Sequence, residues 1–421
     1  SAQWPFWRII VFRFVVIYNF FYTFPWVGRI PRINVVGVWY NQIEKWLVEW
    51  ANHHIFHIKE VLVPMAGSGD TSYAYASVCL NTLIAIVGTF LWSLLDIRRK
   101  NYERGFYWLI IVLRYYVAMV SFLYGIVKLF ALQMPFPSLS QLATPIGDLS
   151  PMRLSWFFIG YSQPYEFFSG AAECIAGVLL IYRRTSTLGA LIAASVFMNV
   201  AMLNLSYNIP VKLFSIHLFI YSTVLLASDA ERLLNFFLFN RATAPAPMEP
   251  LPKLWMKNGR LLLKAVFVIC YILIPFYTSY LRMPTPVNSR LKKDLLTTGM
   301  FDVTTFQTAG RMAADSLQWK DVVFDDFKGG SIHTDDTLFR IRYNRAYFAY
   351  ELDSLKQNIS FKKYDTDSLA LFTLQCSLPD AGTVLLKGKV QNDSIWVVLK
   401  RSKHHFTLAD KPFDWLLESV P

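Results

Sequence analysis

The hydrophobic positions of this chain fall into two regimes. The first two thirds carry seven apolar runs of about 20 residues, the length at which a helix crosses a hydrocarbon core. They extend over Phe6 to Phe24, Tyr75 to Leu95, Phe106 to Leu132, Tyr165 to Tyr182, Leu188 to Leu205, Val211 to Ala227 and Leu261 to Tyr280. Between the first two, Val38 to Glu60 sets Trp39, Tyr40, Ile43, Trp46, Leu47 and Trp50 at three- and four-residue steps among Asn41, Glu44, Lys45 and Glu49. Such a pattern predicts an amphipathic helix, and its tryptophans predict that it lies in the membrane interface. Pro64 to Ser72 is Gly- and Ser-rich and predicts a turn.

From about Arg282 the pattern changes. Phe301–Phe306, Val322–Phe324, Leu338–Tyr343, Tyr347–Leu352, Leu369–Leu378, Val384–Val390 and Ile395–Leu399 are short, often alternating, and β-branched or aromatic. Gly329-Gly330, Asp365, Pro379-Asp380 and Asn392-Asp393 punctuate them. An antiparallel β-sandwich or barrel-like domain is expected. The predicted fold is therefore mainly α in the membrane with a C-terminal β domain. Its parts are residues 1–73 (first span and interfacial helix), 74–228 (bundle), 229–257 (linker), 258–282 (last span) and 283–421 (β-rich domain).

Composition sharpens this picture. The chain is 54% hydrophobic and 17% charged with a mean hydropathy of +0.33, against roughly 25% charged for a soluble domain. Its net charge of +12 does not point to nucleic acid, because the surplus sits between the apolar runs while the last third is close to neutral. Arg98-Arg99-Lys100 with Arg104, Arg183-Arg184, and Arg232, Arg241, Lys253 and Lys257 around the Pro-rich residues 245–252 mark cytoplasmic edges. Arg29 and Arg32 do not follow the pattern. The expected setting is a bacterial inner membrane, with a cytoplasmic N-terminus and a periplasmic C-terminal domain. The chain opens without a cleavable signal pattern, and its first run is expected to act as an anchor. Cys79, Cys174, Cys270 and Cys376 form no CxxC, so packing is their expected role.

The candidate chemistry lies inside the spans. Lys128 follows Tyr124 and Gly125 near the end of the third run, where an ammonium needs a cavity, a partner or the interface. Depth counted at about 1.5 Å per residue puts Arg114 and Glu173 at a similar mid-membrane level, and a buried pair between them is expected. Glu166, Asn204, Lys212 and His217 should join Lys128 in an outer-leaflet polar cluster. There Lys128 would serve as base or anchor and His217 as proton shuttle, with Glu166 and Asn204 helping to bind a ligand. The plainer alternative makes Glu166 and Lys212 interface charges and His217 a core histidine. On a continuous helix His53, His57 and Glu60 share a face and could ligate a transition metal; a polar helix face is the alternative. His404-His405 reads as a solvated strand edge. There is no Walker motif, no Ser/His/Asp order and no CxxCH.

Tyr124-Gly125-x-x-Lys128-Leu129, then Gly170-Ala171-Ala172-Glu173, Gly177-Val178-Leu179-Leu180, Arg183-Arg184 and Gly189-Ala190-Leu191 resemble the DoxX-like membrane proteins over about residues 106–228. The β-rich tail makes the chain similar to the large Bacteroidetes-type form. The resemblance implies a four-helix core and membrane redox chemistry involving sulfur compounds and quinones. The Gly125-x-x-Lys128 segment, with Asn204, Leu213-Phe214-Ser215-Ile216 and Leu225-Leu226-Ala227-Ser228, more distantly resembles the membrane domain of vitamin K-dependent gamma-carboxylases. That likeness matches Lys128 to the base that acts on a reduced quinone, although no NHYW-like histidine precedes it here. The leading expectation is a redox-linked protein binding a quinone or other lipophile near Lys128. An accessory subunit of an envelope complex, engaged through its periplasmic domain, is the alternative.

Overall fold

A computed structural model describes residues 3–27, 34–64, 69–244, 253–283, 298–309, 318–325, 328–353, 357–380, 382–390 and 393–410. Arg29, Arg32, Gly67, Ser68 and the Pro-rich residues 245–252 lie outside them. The chain divides into two compact units: residues 1–134 with 162–283, and residues 135–161 with 284–421.

The first unit is helical. Its elements are α1 (Phe6–Val27), α2 (Asn34–Ala51), α3 (Ser72–Leu95) and α4 (Glu103–Leu129). After the excursion of residues 135–161 come α7 (Gln163–Ile181), α8 (Ser186–Ser206), α9 (Lys212–Ala227) and α10 (Ala230–Phe237); the numbers α5 and α6 belong to that excursion. The last helix is α11 (Leu254–Val268), which passes through a π turn at Ile269–Leu273 into α12 (Ile274–Arg282). Pro275 lacks an N–H to donate to the preceding turn, and the π turn absorbs the mismatch. Six of these helices are long and apolar enough to cross a membrane, or seven if α9 and α10, bent by 72°, make one span. The core lies where α4 meets α7, α8 and α9, around Leu113, Val117, Phe122, Ile126, Leu180, Ala193, Phe197 and Leu218. Small residues let α7 and α8 approach: a Cβ on Gly189 would stand 2.8 Å from the backbone nitrogen of Leu180. Tryptophans 39, 46 and 50 of α2 remain exposed, as an interfacial helix would leave them.

The second unit is a closed antiparallel barrel. Strands β1 (Gly299–Ala309), β2 (Asp321–Phe324), β3 (Gly329–Ile332), β4 (Arg340–Arg342), β5 (Arg345–Asp353), β6 (Asn358–Lys362), β7 (Phe372–Asp380), β8 (Thr383–Val390) and β9 (Asp393–Arg401) pair with their sequence neighbours, except that β3 and β4 do not pair with each other. β9 also pairs with β1, and β3 with β5, which closes eight strands into a ring and leaves β4 as an arm on β5. Period-two alternation fills the interior: Phe372, Leu374 and Cys376 of β7 are buried while Thr373, Gln375 and Ser377 point outward. Phe301, Trp319, Phe324, Phe339, Phe348 and Phe361 complete an aromatic core, as expected where eight strands leave room only for side chains. Gly330 belongs to a strand rather than a turn. A Cβ there would stand 2.6 Å from the Phe348 ring, so only glycine admits that ring at the β3–β5 seam.

Residues 135–161 belong to the barrel unit and carry α5 (Leu139–Leu142) and α6 (Pro151–Tyr161). Asp325 caps α5, its Oδ1 accepting the Ser140 N–H at 3.0 Å and its Oδ2 the Ser138 hydroxyl at 3.2 Å. The Asn344 side-chain amide donates to Asp148 at 2.8 Å, and Arg153 Nε to the Tyr343 hydroxyl at 3.3 Å. Burial raises the pKa of the Tyr343 phenol, but hydrogen bonds with Arg153 and Ser150 outweigh it and hold the phenol below its ordinary value. α5 packs on β2, which is why Asp321, Val322, Val323 and Phe324 are buried on both faces. Inside the barrel, Arg345 grips Asp321 with both terminal nitrogens and donates from Nε to Ser331 at 2.8 Å.

Candidate functional site

The polar interior of the helical unit begins at one close crossing. α4 and α7 run antiparallel, and Gly125 meets Gly170 so tightly that a Cβ on Gly170 would lie 2.6 Å from the Gly125 carbonyl oxygen. Helix side chains lean toward their own N-terminus. Across an antiparallel pair, Lys128 and Glu173 therefore lean toward each other, and they form a buried salt bridge at 6% and 1% exposure. Lys128 turns inward rather than snorkelling. Fully buried Glu166 lies about two turns before Glu173 on α7, and its Oε1 accepts the Met134 N–H at 3.0 Å.

The expected pair of Arg114 with Glu173 is not formed. Three turns along α4 separate Gly125 from Arg114, about 16 Å. Equal travel along α7 passes Glu173 and reaches Arg183. Arg114 accordingly lines cavities with Arg183 and lies over the Tyr115 ring at 5.4 Å. Residue counts estimated depth, but the glycine crossing sets the register.

The single outer cluster resolves into separate groups. His217 belongs to a stack of rings: its Nε2 is 2.6 Å from the Tyr18 hydroxyl, its ring lies 4.0 Å from that of Tyr22, and Nδ1 is 2.6 Å from the Leu213 carbonyl oxygen. A carbonyl can only accept, so Nδ1 carries the proton and Nε2 accepts from Tyr18. Asn204, also buried, reaches the Val211 carbonyl at 3.5 Å. Lys212 pairs with Asp70 at 3.5 Å. The same carboxylate caps α9, accepting the N–H groups of Lys212 at 2.7 Å and Leu213 at 3.1 Å.

The candidate metal ligands do not come together. A π turn at Asn52–Phe56 ends the helix, and His57 takes a left-handed φ of 54°. The four- and three-residue spacing therefore no longer aligns His53, His57 and Glu60. Among the described residues no three His, Cys, Asp or Glu side chains are grouped to hold a metal ion.

Sequence reasoning missed a cavity of about 520 Å³ between α4 and α11. Tyr107, Trp108, Ile111, Tyr115, Leu263 and Phe267 wall it with apolar and aromatic surface. Arg114, Arg183, Arg260 and Lys264 also face it, and none of its lining residues is acidic. Arg183 lies over the Tyr107 ring at 5.9 Å. A second cavity of about 450 Å³ shares Arg114 and Arg183 and adds Glu103, Asp229 and Arg232. Asp229 is engaged there by Arg232 at 3.1 Å and by the Thr187 hydroxyl. Lys264, inside an apolar run and four residues beyond Arg260, was the available signal.

No protein-family model matches the chain, and no solved structure matches it. The chain is similar to the uncharacterized protein YwoB of Bacillus subtilis (strain 168), with 29% identity over 133 residues, covering 30% of this chain and 79% of YwoB.

Proposed function

We propose that this chain is an integral membrane protein that crosses the bilayer seven times and takes a lipophilic molecule from it into the cavity between α4 and α11. The observation that carries this reading is the aromatic wall of Tyr107, Trp108, Tyr115 and Phe267 around about 520 Å³, within the range of small-molecule sites. From the sequence, a lipophile such as a quinone is expected beside Lys128. Its place in this reading is the other end of α4, because Lys128 is committed to Glu173 in a packed crossing. Gly259 provides the test. It lines the cavity, and a Cβ built on it meets nothing within 4 Å, so Gly259→Trp can fill the space without strain. Purified in mild detergent, the native chain should release a stoichiometric lipophile on extraction for mass spectrometry, and Gly259→Trp should not, with helicity unchanged. An equal yield from both proteins would refute the cavity as its site.

Seven crossings are supported by parity. Residues 135–161 and the barrel form one compact unit, so they share a side of the membrane. An even number of crossings must then separate Tyr161 from Gly299. Gln163–Ile181, Arg183–Ser206 and Leu254–Arg282 supply three, and the bent pair Lys212–Ala227 with Ala230–Phe237 supplies the fourth. The basic loops at Arg98-Arg99-Lys100 and Arg183-Arg184 then lie opposite the barrel, and excess Lys and Arg marks the cytoplasmic side. The barrel would be extracytoplasmic, periplasmic in an inner membrane. Reporters inserted at Asn240 and fused after Pro421 should register opposite sides; one side for both would overturn the count.

A further inference from the structure

We infer that the occupant of the α4–α11 cavity carries a phosphate, with its hydrocarbon against the aromatic wall and its headgroup among Arg114, Arg183, Arg260 and Lys264. The inference rests on the lipophile-binding reading and names its chemical class. Four cations line this one cavity and no carboxylate does. Like charges lining one cavity repel, and an anion offsets that repulsion. Of the two carboxylates in the adjoining cavity, Glu103 and Asp229, the second is already engaged by Arg232 and Thr187.

The cations form a ladder. Arg260 and Lys264 stand four residues apart, one above the other on α11. Arg183 stands in the 3-10 turn that follows α7, and Arg114 lies about 16 Å along α4 from its first residue. Three of the four are arginines, whose planar fork matches phosphate oxygens two at a time, while lysine supplies a point charge. A phosphate monoester offers three terminal oxygens to such forks, one more than a carboxylate. Basic pockets between transmembrane helices on the cytoplasmic side are a recurring way to hold phospholipid headgroups.

The test is a titration of the full chain in uncharged detergent with four probes: dioleoyl phosphatidic acid, dioleoylglycerol, oleate and inorganic phosphate. Phosphatidic acid should bind most tightly. Arg260→Gln and Lys264→Gln, on the exposed helix α11, should each weaken it about fivefold, and the exposed Lys257→Gln less than twofold. Equal binding of dioleoylglycerol, with no effect of the two substitutions, would overturn the phosphate while leaving the lipophile reading intact. Equal binding of oleate would replace phosphate by carboxylate. Inorganic phosphate binding as well as the lipid would refute a lipid source. If no probe binds and Gly259→Trp changes nothing, both readings fail.

Discussion

Removing one partner of the Lys128–Glu173 bridge should be far more damaging than removing both. The two side chains are 6% and 1% exposed, at a crossing where glycines exclude other groups. Glu173→Gln leaves an ammonium without its counter-charge. Breaking a buried pair in this way costs about 3–5 kcal/mol, a roughly hundred- to several-thousand-fold shift toward unfolding. Lys128→Met alone leaves the carboxylate uncompensated and should cost a similar amount. The double variant Lys128→Met with Glu173→Gln removes both charges at nearly constant volume and should recover most of the loss. Stability would be read from thermal unfolding followed by size-exclusion chromatography, as a double-mutant cycle. Arg114→Met combined with Glu173→Gln is the control: with no contact between them, the two effects should add. Additive losses for Lys128 with Glu173, or rescue by Arg114→Met, would refute the pairing.

Three further outcomes are expected. Gly170→Leu places carbon 2.8 Å from Lys128 Cβ and 2.9 Å from the Leu129 nitrogen, so it should lower the thermal midpoint through a cost of at least about 1–3 kcal/mol; an unchanged midpoint would contradict the crossing. Asp70→Ala uncaps α9 and removes the partner of Lys212, with an expected loss of about 1–2 kcal/mol, measurable in the same assay, and no loss would show that the cap is dispensable. Burial pushes the Cys376 thiol up to about 11, and only thiolate attacks maleimide, so Cys376 should stay unlabelled at pH 8 until the barrel is denatured; prompt native labelling would contradict the closed ring.

The helices were legible because length is written directly in an apolar run, and runs of about 20 residues have the length that a bilayer would impose. The need of Lys128 for a partner was equally legible, from the cost of a charge in hydrocarbon. Which carboxylate would answer was not. Residue counting gives depth, while the facing register depends on where two glycines meet. The strands of the tail were visible in their alternation, but closure was not, because Gly329-Gly330 reads as a turn and forms part of β3, the strand that meets β5. Sandwich and barrel share one pattern until that seam is known. The cavity is not legible in the sequence because its cations come from α4, the turn after α7 and α11, and a basic residue near the end of an apolar run is ordinary in each taken alone.

The capping of α5 by Asp325 has a consequence for how the chain is made. The bond from Ser140 to Asp325 spans 185 residues. At about 5–20 residues per second of synthesis, the segment around Ser140 waits roughly 10–40 s for its partner to emerge. During that interval the surface that later covers β2 is open to water, proteases and other chains. A ribosome paused within the last helix would lengthen this exposure, and a chaperone that meets the emerging barrel would have that window in which to act.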